Sequence, residues 1–429
     1  MAKRVRKSPH SLGKKITLWC SAAAVCLAAA AVIYFQPWQM MPGQQTSPNT
    51  TEQTTTIPES TPEQLPPEPE PITARITVTG DMMAHKWQLT DALNNGTDGG
   101  YSFAHNFEDV ATYFQQADLA VANLETTLCG PDLGYSDYPL FGTPDSFAQA
   151  MKDAGIDVLS TANNHCMDKG KAGLTRTLEA LDGMGIAHMG TYASAEARDQ
   201  ILMLDVNGIQ VALLSYTYGT NGIPVPESYM VNLMDDELIC NDIRRAREQG
   251  ADFVIVMPHM GIEYETSPRQ DARDTVQMMF EAGADAVLAS HPHVLQPMEY
   301  HTITEADGST RTAFVIYSLG NAISSQETYP RNGGVILNLD IEKQEGERAK
   351  LTSISVIPTW TQFHTNSGTR FKIRTLYHML VEPTEEEQAN LRSADRQRLE
   401  QLHHFATSTL FGQDIPLENI QEEYVFPAA

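Results

Sequence analysis

Six apolar, β-rich runs in this sequence each end in residues that ligate metals or carry protons, and that series restricts the possible folds more than any other feature. ITVTG runs into Asp81 and His85, DLAVANLE supplies Asn123 and Glu125, and DVLSTA is followed by Asn163, Asn164, His165 and Asp168. DFVIVMPHMG leads into His259 and Glu263, DAVLASHPHV carries Ser290, His291 and His293, and AFVIYSLGN ends on Gly320 and Asn321. Short runs of this composition read as strands. Between them, 147–156, 171–185, 235–250 and 271–284 have the apolar spacing of helices, and 171–185 and 235–250 stop at glycine. Strands alternating with helices at short spacing predict an α/β domain with a mixed sheet. The consecutive strands at 313–321, 334–342 and 350–360 predict that part of it is antiparallel. In open α/β sheets the ligand site lies beyond the carboxyl ends of the strands, which is where the polar residues collect.

The N-terminus restricts location. Residues 1–35 carry Lys3, Arg4, Arg6, Lys7, Lys14 and Lys15 and no acid, a charge of +6, so with −25 overall the rest of the chain carries −31. A body this acidic excludes a broad nucleic-acid-binding surface. Ile16 to Phe35 is twenty residues without a charge, and a helix needs about 20 to cross a bilayer. Trp19, Tyr34 and Trp38 stand near its ends, where aromatic rings favour the interface. The pattern predicts a cytoplasmic basic tail at 1–15 and a single-pass transmembrane signal anchor at 16–35. Two other readings are open. One is a signal peptide cleaved near Ala28–Ala31, although the apolar stretch continues through Val32–Phe35. The other is a lipoprotein, although Val25 and Trp19 precede Cys26 and Cys20 where a small residue is wanted. All three place the body outside the cytoplasm.

Residues 36–72, rich in Thr, Pro and Glu, predict a disordered linker. The main domain is expected over 73–382. The polar, helix-forming stretch 383–429 is expected as a C-terminal surface helix rather than a second domain. Cys129, Cys166 and Cys240 are too few for a disulfide framework and read as free thiols.

Carboxylate and neutral imidazole suit zinc, manganese and iron. Asp81 and Glu125, with His165, His259, His291 and His293, therefore predict a site for a pair of divalent ions of undetermined identity. Such pairs sit about 3.5–4 Å apart and clamp attacking and leaving oxygens. On an extended segment, the His291-x-His293 spacing turns both rings to one face. Isolated histidines such as His188, His301 and His378 read as ordinary surface or core residues.

The order Gly80-Asp81, Asn123-Leu124-Glu125, Asn163-Asn164-His165, His259-Met260-Gly261, Ser290 to Gln296 and Ser318 to Asn321 resembles the CapA family of bacterial capsule-synthesis proteins, with matches over roughly 74–340. The resemblance implies a part in synthesis, export or attachment of poly-γ-glutamate at the cell surface. Its implied partners are the membrane, other capsule-synthesis membrane proteins and an anionic polymer such as poly-γ-glutamate, with no nucleic acid. That family is similar in turn to calcineurin-like metallophosphoesterases, which implies an αββα sandwich with mixed sheets. By that likeness Asp81 serves the first metal, Glu125 stands at the bridging position and Asn164 serves the second. His259, His291 and His293 complete the ligands, and His165, oriented by Asn164, is the catalytic acid. Asn123, Asn163, Glu263 and Asn321 would then hold substrate or orient the ligands. The chain departs from the metallophosphoesterase pattern in three places: His85 lies four residues after Asp81 rather than two, Glu125 replaces an aspartate, and Ser290 replaces a glycine.

Three functional readings follow. One is a metal-dependent hydrolase or transferase acting on a phosphoester or a γ-glutamyl amide. The second is a non-catalytic, polymer-binding accessory subunit. The third is a 5′-nucleotidase-like phosphatase, which needs stacked aromatics from among Tyr216, Tyr218, Tyr264 and Phe363.

Overall fold

Successive side chains of a strand point to opposite faces, and along Phe253–His259 both faces are apolar. Phe253, Ile255 and Met257 enter one core, while Val254 and Val256 enter another. A strand buried on both sides belongs in a covered sheet, and the domain is layered to provide that. The structure is a computed structural model that describes residues 70–366 and 368–428. The expected tail and anchor, and nearly all of the expected linker, lie outside the described residues. None of the described helices is long and apolar enough to cross a membrane.

The chain begins one sheet, builds a second, and returns to finish the first. Strands β1 (Ile72–Met82), β2 (Leu119–Leu124), β3 (Val158–Ser160) and β4 (Ala187–Met189) lie side by side and parallel. Strands β5 (Leu202–Val206), β6 (Ile209–Thr217), β7 (Phe253–His259), β8 (Ala286–Leu288), β9 (Leu295–Thr304) and β10 (Thr310–Leu319) form the second sheet in the order β5-β6-β7-β8-β10-β9. It is parallel at its centre and antiparallel at both edges. Strands β11 (Asn321–Ile323), β12 (Gly333–Lys343), β13 (Lys350–Thr365), β14 (Gly368–Thr375) and β15 (Tyr424–Pro427) complete the first sheet. Its order is β14-β13-β12-β1-β2-β3-β4, with β11 on β1 and β15 on β13.

Between the sheets, Ile76, Val78 and Val121 meet Val211, Leu213 and Ile316. Each such side chain contributes about 1.5–3 kcal/mol by leaving water. Helices Ser146–Asp153 and Gly170–Met184 cover the outer face of the first sheet, where Phe147, Met151 and Leu181 pack with Ala120, Ala122 and Leu159. Helices Asp236–Glu248 and Gln270–Ala282 cover the second. The Asp236–Glu248 helix is well specified. The Asp235 side chain accepts from the Leu238 N–H, acids fill the first turn, and Arg245 and Arg247 fill the last, opposing the helix dipole. The layers run helix, sheet, sheet, helix, with both sheets mixed.

The C-terminal stretch corrects the expectation of a surface helix. Helix Ser393–Phe411 buries Leu399, Leu402, Ala406 and Leu410, and β15 then adds a strand to β13. Its apolar residues recur at helical spacing but are diluted by charges, which hides the buried stripe.

Candidate metal centre

Strand ends from both sheets converge on one point. The first sheet brings Asp81 at the end of β1, Asn123 in β2 and Glu125 just after it. The second brings His259 at the end of β7 and His291 and His293 after β8. Gly80 permits the approach: a Cβ there would lie 2.0 Å from the Gly320 carbonyl oxygen, which accepts the Asp81 N–H at 3.0 Å. The His291-Pro292-His293 segment is a bend, not the extended strand expected. His291 and His293 hold φ of 104° and 59°, a region that costs other residues than glycine about 1–3 kcal/mol. Hydrogen bonds hold it there. His291 N–H donates to Asp81 Oδ2 at 3.3 Å, and the Pro292 carbonyl accepts from Tyr264 N–H at 2.8 Å.

Three sets of ligand-type atoms cluster within 4.8 Å: Asp81, Glu125 and His293; Glu125, His259 and His291; and Glu263, His291 and His293. Glu125 is common to the first two, where a bridging group belongs. His293 Nδ1 lies 3.1 Å from Asp81 Oδ2, and its Nε2 lies 3.7 Å from Glu125 Oε1. His259 Nε2 lies 3.5 Å from Glu125 Oε1 and 2.9 Å from Asn164 Oδ1. All of these are buried except Glu263, which stands exposed at the rim.

Electrostatics separate the two buried carboxylates. Burial, then the charge of Asp81, pushes Glu125 well above the usual carboxylate range. Burial would raise Asp81 as well, but the hydrogen bond and charge of His293 bring it below its ordinary value. Burial opposes the charged form of His293, yet Glu125 and Asp81 raise it to about 9. Burial lowers His259 to about 3 and depresses His291 too. Both are then neutral at physiological pH, the form that ligates metals.

The centre fits a divalent cation on its own chemistry. Neither oxygen of Glu125 has a hydrogen-bond partner although both are buried, and His291 Nδ1 is also unpartnered. An uncompensated buried carboxylate costs several kcal/mol, and native structures rarely leave such groups unanswered. Oxygen and imidazole donors with two buried acids suit a transition-metal ion.

A second layer fixes these groups. Asn123 Nδ2 donates to Asp81 Oδ1 at 2.8 Å, and Asn163 Nδ2 donates to Asn123 Oδ1 at 3.2 Å and to the Leu124 carbonyl at 2.8 Å. Ser290 Oγ lies 2.9 Å from His259 Nδ1, and Asn321 Oδ1 lies 3.0 Å from His293 Nδ1. His165 sits beside the cluster but outside the three ligand sets. Asp168, rather than Asn164, orients it: His165 Nδ1 lies 2.7 Å from Asp168 Oδ2. The same oxygen accepts the Phe141 N–H at 2.7 Å, and the Phe141 ring lies 4.6 Å from the imidazole. The three-residue spacing from His165 to Asp168 was the available signal for this pair. His85 is a wall residue. It caps the Lys86–Asn95 helix, packs edge-on against Phe141 at 4.9 Å, and is lowered to about 4 by burial.

The four aromatic candidates divide cleanly. Tyr216 is fully buried, with its hydroxyl on Asp242, and Phe363 packs on Phe371 in the core. Tyr218 and Tyr264 flank the centre, with ring centroids 4.5 Å from His291 and 6.2 Å from His293.

A family model described as bacterial capsule synthesis protein PGA_cap matches residues 75–326, the stretch that holds all of these ligand and second-layer groups. The chain belongs to the PGA_cap family. Among its curated relatives, it is 29% identical over 259 residues to the PGA biosynthesis protein CapA of Bacillus subtilis (strain 168), covering 59% of this chain and 61% of that protein. It is 29% identical over 262 residues to the capsule biosynthesis protein CapA of Bacillus anthracis, covering 58% and 60%. The chain thus spans about three-fifths of the length of each of these relatives. Among solved structures, the NAD nucleotidase of Haemophilus influenzae aligns over 78% of this chain and 56% of its own, at 12% identity and a TM-score of 0.43.

Proposed function

We propose that this PGA_cap protein is a membrane-anchored, extracytoplasmic metal-dependent hydrolase or transferase of poly-γ-glutamate capsule synthesis, export or attachment. The basic stub and uncharged segment at 1–35 support the anchor, with the domain on the outer side among other capsule-synthesis membrane proteins. The names of the two Bacillus relatives support the process. One observation carries the site: Glu125 is fully buried with neither oxygen satisfied, amid Asp81, His259, His291 and His293. These five, with Asn164 and rim Glu263, would hold the ions, about two of them, as manganese, zinc or iron. Divalent ions in such a donor set supply Lewis-acid polarisation of a substrate oxygen.

The protein's own groups do the rest. Asp168 holds His165 by Nδ1, so that Nε2, once protonated from solvent, can give that proton to a leaving group. Asn123, Asn163 and Asn321 keep Asp81 and His293 in place. The first test is the metal content of the purified full-length chain beside a His291→Ala/His293→Ala variant. Bound metal in the parent, lost in the variant while circular dichroism stays unchanged, is the expected result. A parent that takes up neither manganese nor zinc ends the metalloenzyme reading and leaves polymer binding without catalysis. With metal shown, His165→Ala should lose turnover of γ-glutamyl or phosphoester substrates by about 10²–10⁴-fold while keeping its metal.

A further inference from the structure

Arg331 lies just past the family-matched stretch and lacks the carboxylate partner that most of the described arginines have. In a chain with 54 acidic and 29 basic residues, Arg176, Arg198, Arg247, Arg273, Arg311 and Arg392 each pair with a carboxylate. The Arg331 guanidinium has no hydrogen bond or ion pair among the described residues. It lies over an aromatic ring, with Cζ 3.4 Å from the Tyr264 centroid. Stacking occupies the face of the guanidinium and leaves the in-plane N–H fork open.

That stack is built onto the metal centre. Tyr264 holds a φ of 68°, unusual for an aromatic residue. Its N–H is tied to the Pro292 carbonyl between the two histidines, and its ring centroid lies 6.2 Å from that of His293. From the other side, Asn321 Nδ2 donates to the Arg331 carbonyl at 2.8 Å while its Oδ1 meets His293 Nδ1. Two strained or buried connections thus tie one unpaired, planar cation to His293, through the Tyr264 ring and through Asn321. A protein this acidic repels anions over its surface, so an anionic ligand needs a local cation to dock.

We infer that Arg331, stacked on Tyr264, is the anion-binding subsite of the metal centre and takes a substrate oxyanion, carboxylate or phosphate, that is separate from the bond acted on. The inference rests on the metal-centre reading and names the charge its substrate must carry. A planar fork matches two oxygens of one carboxylate or phosphate group. Neutral amides and neutral glycans would leave it unanswered.

The test uses the manganese-loaded full-length chain, with γ-linked triglutamate and inorganic phosphate titrated separately by calorimetry and a γ-linked glutamine amide as neutral control. Arg331→Gln should weaken the anionic probe by about ten- to hundredfold, the range for hydrogen bonds to a charged group. Arg331→Lys should recover only part, because it keeps the charge and loses the fork, and Tyr264→Leu should fall between. Metal content should stay at the parent value in all three. A loss confined to triglutamate assigns a carboxylate subsite, and a loss confined to phosphate assigns a phosphate subsite. Equal binding by parent and Arg331→Gln, or no binding of either anion by the metal-loaded parent, overturns the inference and leaves the metal centre standing. Absence of metal from the parent is instead a failure of the metal-centre reading.

Discussion

Beside β13 and β14, a cleft of about 520 Å³ is lined by Arg370, Lys372, Arg374 and Glu387; at the strand ends, Asp81, Glu125 and three histidines gather at the metal centre. Both regions concentrate charge, yet they treat it differently. In the cleft, Arg374 bonds Gln362 through Nε at 2.8 Å and pairs with Glu387, Lys372 Nζ meets Glu108 and Asp109 at 2.9 Å, and His378 Nε2 meets Glu387 Oε2 at 2.8 Å. At the centre, Glu125 has no hydrogen bond at either oxygen and His291 keeps a bare Nδ1. Charges that serve folding answer one another within the chain. Charges that serve binding keep valence open and depend on what arrives. The cleft beside β13 and β14 is therefore the less promising site.

That contrast can be broken from either side. The largest stability effect is expected at the satisfied cluster. Arg374→Ala leaves Glu387 and Asp109, both partly buried, without the guanidinium they share, and unfolding by denaturant should show a loss of about 2–4 kcal/mol with metal content unchanged. A loss below about 0.5 kcal/mol would place this cluster with ordinary surface pairs. At the open cluster the sign reverses. Glu125→Gln removes a buried carboxylate that has no hydrogen bond at either oxygen and meets chiefly the charge of His293, 3.7 Å away. After chelation the variant should be more stable than the parent by about 1–3 kcal/mol, and with manganese added it should gain far less than the parent does. A chelated variant less stable than the chelated parent would mean that Glu125 is satisfied internally after all.

Much of the centre was legible because of how the sheets are covered. Parallel strands buried on both faces read as unbroken apolar runs, so the residue that ends each run stands out, as His259 does after Phe253–Pro258. Every ligand candidate falls at such an end, and Asn123, Asn163 and Asn321 came with them. Other features had no such marker. β9 is half-buried and contains Pro297, so its sequence carries no clean alternation. β15 takes its place only through pairing with β13, some seventy residues earlier. Arg331 lies beyond the last motif residue and reaches His293 through a ring whose position depends on a left-handed backbone at Tyr264, which no local pattern announces. Tyr216 and Tyr218 are two residues apart on one strand and its end, and only the packing shows that one is core and the other flanks the site.

The smallest expected effect separates the two clusters by pH. Burial alone would raise Glu387, but the Thr384 N–H, His378 and Arg374 overcome it and hold the carboxyl down near 2, against an ordinary value of 4.5. A carboxyl depressed on folding adds stability that is fully present above its unfolded value and is lost as pH falls toward its folded one. The stability difference between parent and Glu387→Gln should therefore be constant from about pH 7 to pH 5. It should then shrink from about pH 4.5 towards pH 2, measured by chemical unfolding of chelated protein at each pH. Because this cluster is answered within the chain, adding manganese at pH 7 should leave the difference where it was. A gap between parent and variant that persists undiminished to pH 2 would show that the ionised form of Glu387 is not what contributes. A gap that moves with metal would show that the two clusters act on each other, and the division between folding charge and binding charge would have to be redrawn.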